Sequence, residues 1–381
     1  MAQPAFFTSS PNGRSSRAFS TEAAAHPANK TQIYLSRSAD ALLNLCVEYH
    51  LLQVTPPEST VLLLYVNAPT VVFGRSQNPW MEANLPLLAR LARRGGGHTA
   101  PALGPVQLVR RRSGGGTVFH DAGNVNFGVI CPSAAFNQDR YADMVVRALH
   151  ALGRPLTRVN ARHDIVVDGE GGTFKVSGSA YKKTSLRSLH HGTCLLRSPN
   201  LDAISGLLRS PAEPFIKAGG IESVRSPVGN LDLECADFKA AVVEQFRRMH
   251  GESQLQADFD DGALSVEGVR SGYEEMGSPK WTYGKTTRFT FCTHPFSEDP
   301  RPRPQVPFDL KVRFEAVYGQ IKLFDVQGGG HRVNTSALVG HDFYRVRDWS
   351  ERLAQAGLGD ADAIKVGAWM SGVLGSELTS A

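Results

Sequence analysis

Apolar residues recur along the chain with two spacings, one typical of strands and one typical of helices. Apolar runs predict strands at 61–66, 71–73 and 106–109, and alternation predicts a strand at 125–131. The strands at 61–66 and 71–73, separated by a turn at 67–69, are expected to be buried neighbours. Spacings of three and four residues predict helices at about 42–49, 81–94, 139–152, 201–208 and 236–249. Further strands are predicted at 164–167 and 174–180, joined by a glycine-rich turn, and at 194–196. Alternating residues at 310–315 and 320–326 predict a hairpin that turns at Tyr318 and Gly319. Strands interleaved with helices, several of them joined as hairpins, predict a mixed-sheet α+β fold.

The most informative stretch spans residues 106–131 and reads VQLVRRRSGGGTVFHDAGNVNFGVIC. Its apolar ends predict two strands joined by a glycine turn, as in a hairpin. Consecutive backbone N–H groups in such a turn attract anions, and the arginines at 110–112 supply fixed positive charge at its mouth. A glycine hairpin with a solvated basic rim has the same local pattern. The rest of the chain decides between the two interpretations.

Composition narrows the class of protein. The 381 residues are 41% hydrophobic and 20% charged, which is typical of a globular chain of about two domains. A net charge of +5 is weak for a nucleic-acid-binding protein. The five cysteines are scattered singly without a CxxC pair, which predicts free thiols and no zinc site. No apolar run approaches the roughly 20 residues that span a bilayer. We therefore expect neither nucleic acid nor membrane as a partner.

The first 21 residues differ from the rest of the chain. They carry Arg14, Arg17 and five serines, and the first acidic residue is Glu22. This composition is typical of a mitochondrial transit peptide, and RAFST resembles a matrix-processing site with cleavage near Phe19. An ordinary disordered tail is the alternative. We therefore expect residues 1–30 to be a transit peptide or disordered tail, and the protein to be mitochondrial, in the matrix.

The sequence lacks the standard nucleotide and hydrolase motifs. It contains no GxxxxGK[ST], no GxGxxG that opens a helix, and no GxSxG in a hydrolase elbow. His190 and His191 could suggest a metal, but adjacent residues of a strand point to opposite faces. The glycine turn, the arginines and the KVSGS strand that begins at Lys175 could together hold a polyanion and polarise a carbonyl or phosphoryl oxygen. These residues alone predict a nucleotide or acyl-phosphate site of unusual type.

A family resemblance rests on the central stretch and on six further motifs. RRRSGGGTVFHDAGNVNF resembles the RRxSGGGxVxHDxGNxNF signature of the lipoate-protein ligases. The other motifs follow in the family's order: GRSQNPW at 74–80, DIVVDG at 164–169, KVSGSAYKKT at 175–184, HHGTCLL at 190–196, GGIESVRSPVGNL at 219–231 and KWTYG at 280–284. The chain thus resembles a fungal-type mitochondrial member of the lipoate-protein ligase A family. The resemblance implies a biotin/lipoate ligase-like catalytic domain at 31–284 and a small C-terminal α/β accessory domain at 285–381.

The resemblance also implies a reaction in two halves. The carboxylate of lipoate attacks the α-phosphate of ATP, with magnesium, and gives lipoyl-AMP; a lysine of an acceptor protein then displaces AMP. The implied acceptors are lipoyl domains of 2-oxoacid dehydrogenase acyltransferase subunits and the glycine-cleavage H protein. One alternative is ATP-independent transfer of a lipoyl or octanoyl group from H protein or a thioester. The other is a non-catalytic binding protein for lipoyl domains.

Matching positions carry the family's roles over to this chain. Lys175 matches the key lysine, which contacts both the lipoyl carbonyl and the α-phosphate. The positions implied to bind ATP and lipoyl-AMP, besides Lys175, are Arg111, Ser113, Gly114, Gly115, Gly116, Thr117, Val118 and Phe119. The positions implied to line the lipoate pocket are Arg75, Asn78, Lys175 and His191. Asp164 is the implied helper for magnesium. The chain departs from the family pattern at His163, where asparagine is common, and in longer loops at 95–105 and 295–307.

Overall fold

A computed structural model describes residues 17–94, 103–329, 333–376 and 378. Its strands are β1 Arg17–Ala18, β2 Thr31–Ser36, β3 Thr60–Tyr65, β4 Thr70–Phe73, β5 Gln107–Arg110, β6 Val118–His120, β7 Asn124–Pro132, β8 Thr157–Val159, β9 Ile165–Gly169, β10 Gly172–Ser177, β11 Ser179–Lys183, β12 Arg187–Leu195, β13 Ile216–Ala218, β14 Leu255–Phe259, β15 Phe289–Cys292, β16 Lys311–Val317 and β17 Gln320–Gln327. Its α-helices are α1 Thr21–Ala25, α2 Ala41–Val54, α3 Pro79–Glu82, α4 Leu85–Arg94, α5 Arg140–Ala151, α6 Leu201–Leu207, α7 Cys235–His250, α8 Glu267–Gly277, α9 Pro279–Thr282, α10 Trp349–Gln355 and α11 Asp360–Leu374. The helix expected at 81–94 is therefore two helices.

The largest sheet combines parallel and antiparallel neighbours and is covered on both faces. Its order is β1-β14-β2-β3-β7-β12-β11, with β2 parallel to β3 and with β7 antiparallel to both β3 and β12. Side chains of β3 alternate between two cores: Leu63 packs in the core formed with α2 and α8, and Leu62 packs in the core formed with α5 and α7. Burial on both faces explains why β3 is an unbroken apolar run. The predicted mixed-sheet α+β fold is confirmed.

The glycine stretch is not a simple hairpin. β5 pairs in parallel with β4, and β6 pairs antiparallel with β4, so these strands form a separate three-stranded sheet. β7, which we expected to pair with β5, lies in the large sheet instead. The expected neighbours β3 and β4 are likewise in different sheets. The error arises because apolar runs predict that strands exist, whereas pairing depends on contacts between distant segments.

A second three-stranded sheet carries Lys175. β9 and β10 form the predicted antiparallel hairpin, and Gly171 and Gly172 adopt positive φ angles of 93° and 128° in its turn. Glycine is favoured at such positions because it has no Cβ. The ladder shifts register between Lys175 and Ser177, just before β11 joins the large sheet. Lys175 therefore lies at the point where the chain passes from one sheet to the other.

The C-terminal residues form a four-stranded sheet in the order β13-β15-β16-β17, with the predicted β16–β17 hairpin turning at Tyr318 and Gly319. β13 precedes the boundary predicted at residue 284 but pairs with β15, which follows it. Trp80 stacks on Phe289, and its ring centroid lies 4.1 Å from that of Phe343. One apolar core thus continues from the ligase-like part into the C-terminal part.

Residues 17–30 differ from the expectation of a disordered tail. β1 pairs in parallel with β14, and the side chain of Ser20 accepts a hydrogen bond from the N–H of Ala23 at the start of α1. Phe19 packs against Tyr34, and Ala24 is fully buried. Apolar side chains in this segment explain why it packs on the fold. Residues 1–16, and residues 95–102 of the predicted loop insertion, lie outside the described part. The 295–307 loop is described and contains no helix or strand.

Candidate active site

Two cavities share one wall. The first, here called cavity 1, has a volume of about 210 Å³, and the second, cavity 2, has a volume of about 500 Å³. The residues that line both are Thr117, Val118, Lys175, Gly178, Thr193, Glu222, Ser223 and Val224. Lys175 is the one residue of this shared wall with a cationic side chain. Groups bound in the two cavities would therefore meet beside an ammonium group.

The position of Lys175 is set by its backbone and by an ion pair. Its backbone N–H donates to the carbonyl of Pro227, with 2.8 Å between N and O. Its Nζ lies 2.9 Å from Oδ1 of Asp164, and Oδ2 of that carboxylate lies 3.9 Å from Nε of Arg162. A Cβ added to Gly178 would approach the Lys175 Nζ to 3.3 Å, so glycine leaves room for the side chain. The ammonium is thus held in place before any ligand binds.

Arg111 supports the glycine turn from inside. Its guanidinium donates to the carbonyls of Gly114 and Gly116, and its Nε donates to the hydroxyl of Ser113. The side chain is buried, and burial lowers the pKa of Arg111 to about 10, so it stays protonated at neutral pH. Gly115 has a φ of +83°, where a side chain would be strained. The buried cation and the glycine therefore fix the shape of the turn together.

Some residues of the predicted nucleotide-binding segment, 111–119, line a cavity, and the others form the glycine turn. Cavity 1 is lined by Arg111, Gly116, Thr117 and Val118, and cavity 2 is lined by Thr117, Val118 and Phe119. Ser113, Gly114 and Gly115 line neither cavity and contribute to the turn behind the wall.

His191 lies in the wall of cavity 1 within a buried polar chain. Its Nδ1 is 2.7 Å from Oε1 of Glu48, and its Nε2 is 2.7 Å from the hydroxyl of Ser113. Arg111 Nε donates to the same hydroxyl. Of these two partners, only the histidine nitrogen can therefore accept the hydroxyl proton of Ser113. The order Glu48, His191 and Ser113 resembles the carboxylate, histidine and serine of a hydrolase, but Ser113 does not line a cavity. Its role in this geometry is to orient His191.

Two predicted pocket residues lie elsewhere. Asn78 is buried at the start of α3, where its Oδ1 accepts from the N–H of Trp80 at 3.0 Å. Arg75 is exposed, and its guanidinium lies 5.7 Å from the ring centroid of Trp281. Neither residue lines cavity 1 or cavity 2. Of the four predicted pocket residues, Lys175 and His191 line a cavity, whereas Asn78 caps a helix and Arg75 faces outward.

The backbone conformation at residue 163 explains why a histidine can stand where the family commonly has asparagine. Its φ is +62°, in the left-handed region where asparagine and histidine are enriched among residues other than glycine. Its Nδ1 lies 2.6 Å from Oδ1 of Asp139, and it lines neither cavity. Asp164, the next residue, does line cavity 1. Within the described ranges, no group of three or more His, Cys, Asp or Glu side chains is arranged to hold a metal ion.

Sequence reasoning missed three buried polar residues near the cavities. They are Glu48 on α2, Gln77 before α3 and Glu82 at the end of α3. Each is a charged or amide side chain that is almost fully buried, which is rare without a polar partner. The glutamate within LLNLCVEYHLL was a signal of such a partner, but the partner, His191, is 143 residues away.

Sequence relatives support one family. The sequence model of one protein family, the lipoyl protein ligase A/B catalytic domain, matches residues 40–247 of this chain. The chain is 34% identical over 283 residues to a candidate lipoate-protein ligase A of Schizosaccharomyces pombe, covering 68% of this chain and 72% of that protein. It is 34% identical over 272 residues to the lipoate-protein ligase A of Psychrobacter cryohalolentis, covering 68% of this chain and 74% of that protein.

Solved structures show the same fold at lower identity. LipL1 of P. falciparum, in complex with lipoate, has a TM-score of 0.52 and 18% identity, covering 89% of this chain and 99% of that chain. The bipartite lipoate protein ligase of Thermoplasma acidophilum, studied with its E2 lipoyl domain, has a TM-score of 0.51 and 21% identity. The match covers 67% of this chain and 96% of that chain. A lipoate-protein ligase A bound with ATP has a TM-score of 0.50 and 20% identity. The match covers 67% of this chain and 98% of that chain. With its fold, its catalytic-domain match and its sequence relatives in agreement, the chain belongs to the lipoate-protein ligase family.

Proposed function

We propose that this chain is an ATP-dependent lipoate-protein ligase, which activates lipoate to lipoyl-AMP and transfers the lipoyl group to a lysine of an acceptor lipoyl domain. The observation that carries the proposal is the junction of two cavities at Lys175. Adenylation requires that a carboxylate approach the α-phosphate of ATP, and both are anions. A cation held at the meeting point offsets their repulsion and needs no reorganisation during the reaction.

The walls suggest which ligand occupies which cavity. The walls of cavity 1 include Lys175, His191 and the apolar side chains of Leu45 and Val72. It suits an acyl chain whose carboxylate ends at the ammonium. Cavity 2 is larger and suits an adenosine, because its walls include the apolar side chains of Met81, Phe119, Val176, Leu195, Ile204 and Leu208. With this assignment, the carboxylate and the α-phosphate meet at the shared wall.

Lys175 serves both halves of the reaction. In the first half, its ammonium balances the charge on the α-phosphate oxygens while a carboxylate oxygen attacks phosphorus and pyrophosphate leaves. In the second half, the amine of the acceptor attacks the lipoyl carbonyl carbon, and the same ammonium stabilises the negative oxygen before AMP leaves. Asp164 orients the ammonium through their 2.9 Å ion pair. The buried walls limit access of water to the mixed anhydride.

Magnesium fits this site as an ion that arrives with the nucleotide. Magnesium is usually bound by one or two carboxylates together with substrate phosphates. Asp164 is a buried carboxylate in the wall of cavity 1, and it would supply the protein ligand. When bound, the ion would neutralise phosphate charge and polarise the phosphoryl oxygens.

We further propose that the protein acts in the mitochondrial matrix on lipoyl domains of 2-oxoacid dehydrogenase acyltransferase subunits and on H protein. Support for the location is the acid-poor N-terminal sequence with Arg14 and Arg17. The test is a fluorescent fusion that lacks residues 1–16, which leaves the packed segment from Phe19 intact. Loss of mitochondrial fluorescence is expected, and unchanged import would contradict the proposed location.

One experiment separates the enzymatic alternatives. The full chain is mixed with an apo lipoyl domain and lipoate, with and without ATP and magnesium, and the mass of the acceptor is measured. A mass gain that requires ATP supports ligation. A gain only from octanoylated H protein would support ATP-independent transfer, and no gain from any donor would support a binding protein. Lys175→Ala is included, with Lys183→Ala as a matched control on an exposed strand end that lines neither cavity.

A further inference from the structure

Residues 219–229 cover parts of both cavities with little secondary structure. The segment is irregular apart from a single β-bridge between Val228 and Lys175. Residues 222–224 line both cavities, although Val224 is 58% exposed. A segment of this kind is held closed by few contacts, so each contact has a large share in keeping the cavities covered.

Ser223 makes the densest set of these contacts. Its hydroxyl donates to Oε2 of Glu82 and accepts from the N–H of Thr117 at 2.8 Å and from Nε2 of Gln77 at 3.1 Å. Its backbone N–H donates to Oε1 of Glu82 at 3.2 Å. The hydroxyl thus uses its one donor and both acceptor sites. The segment is joined at Ser223 to the glycine turn and to α3.

Glu82 is an unusual residue for this position. It is only 7% exposed, and burial raises the pKa of its carboxyl group, as does the nearby charge of Glu222. A buried carboxylate costs stability unless hydrogen bonds compensate for the lost water. The hydrogen bonds that compensate here come from Ser223 and from the hydroxyl of Thr117 at 3.3 Å. The carboxylate therefore serves mainly to join the covering segment to the turn.

We propose that Glu82 is a positioning residue that holds segment 219–229 closed over both cavities through Ser223. The closed segment keeps water from lipoyl-AMP until an acceptor lysine arrives. In the reaction that closure prevents, the oxygen of water attacks the lipoyl carbonyl carbon, the bond to the phosphate oxygen breaks, and lipoate and AMP are released. The identity of the protected intermediate rests on the proposed function, whereas the holding of the segment does not.

The holding is measured on the full chain without ligands by limited trypsin digestion. Arg225 is exposed and follows Ser223 by two residues, so cleavage after Arg225 reports opening of the segment. Glu82→Gln keeps the size of the side chain but removes the charge and one acceptor, and we expect roughly tenfold faster cleavage. Ser223→Ala should give a similar increase. Mass spectrometry of the peptide that ends at Arg225 gives the rate.

Two controls make this result specific. Because Glu82 acts through Ser223, the double variant should be cleaved no faster than the faster single variant. Glu170→Gln removes an exposed carboxylate in the turn between β9 and β10, which lines neither cavity, and should leave the rate unchanged. An unchanged rate in Glu82→Gln, or additive effects in the double variant, would overturn the proposal.

The consequence for the reaction is measured as AMP released per lipoylated acceptor. We expect a ratio near one in the unmodified chain and a severalfold higher ratio in Glu82→Gln, because opening admits water to the intermediate. A merely destabilising substitution lowers both products together, so an unchanged ratio would overturn the protective role. If the unmodified chain forms neither product, the proposed function fails, while the cleavage rates still decide whether Glu82 holds the segment.

Discussion

The role of Arg111 leads to a prediction that separates support of the glycine turn from direct contact with a ligand. The substitution Arg111→Lys keeps the positive charge in the wall of cavity 1. It removes the planar guanidinium, whose donors point in several fixed directions. If the main role of Arg111 is to hold the turn, the variant loses stability. If its main role is to supply charge to a phosphate, the variant keeps most of its function.

The magnitude follows from the hydrogen bonds of the guanidinium. Arg111 donates five hydrogen bonds to four acceptors: the hydroxyl of Ser113 and the carbonyls of Val72, Gly114 and Gly116. The single ammonium of lysine can reach about two acceptors that lie on different sides of the original group. The other two would remain buried without a donor, at roughly 1.5 kcal/mol each. We therefore expect the free energy of unfolding to fall by about 3 kcal/mol.

The assay is equilibrium unfolding in urea, with ATP binding measured on the folded variant by calorimetry. Arg158→Lys is the matched control, because Arg158 forms an exposed ion pair with Asp168, and its replacement should change the free energy of unfolding far less. A loss below about 1 kcal/mol in Arg111→Lys, with ATP affinity largely retained, would refute the supporting role. Arg111 would then act mainly as a phosphate ligand.

Three further predictions follow from the site and the core. Lys175→Ala should lower the rate of lipoyl-AMP formation at least about a hundredfold, measured by pyrophosphate release, and normal turnover would remove this residue from the mechanism. Gly115→Ala should destabilise the fold by about 2 kcal/mol, because its φ is +83° and the new Cβ would lie 2.9 Å from Arg111 Nη2. Gly114→Ala, whose Cβ would meet no atom within 4 Å, should cost far less in the same urea experiment; equal losses would contradict the strain argument. Burial lowers the pKa of His190 to about 3, so its stabilising contribution is present above pH 6.5 and is lost as the pH falls towards 3. Between pH 7 and pH 5, the free energy of unfolding of His190→Gln should therefore fall by about 2 kcal/mol less than that of the unmodified chain. Parallel plots of the two free energies against pH would contradict the lowered pKa of His190.

Local features of the chain were predictable because they depend on neighbouring residues. The β9–β10 hairpin follows from glycines that tolerate positive φ, and the β16–β17 hairpin follows from alternating apolar residues on either side of Tyr318 and Gly319. The end of α5 at Gly153, with a φ of +77°, has the same local cause. The motif at Lys175 indicated the residue that the structure places between the two cavities.

The tertiary structure alone decided which distant segments meet. The sequence predicted β5 and β7 as strands, but their assignment to different sheets depends on burial against partners far away in the chain. The contact between Glu82 and Ser223 spans 141 residues, and no local pattern indicates it. By itself, therefore, the sequence determined the elements, the turns and the family motifs, because these depend on short-range backbone and side-chain chemistry. Only the folded chain decided which polar groups share a buried space, because that depends on how distant segments pack together.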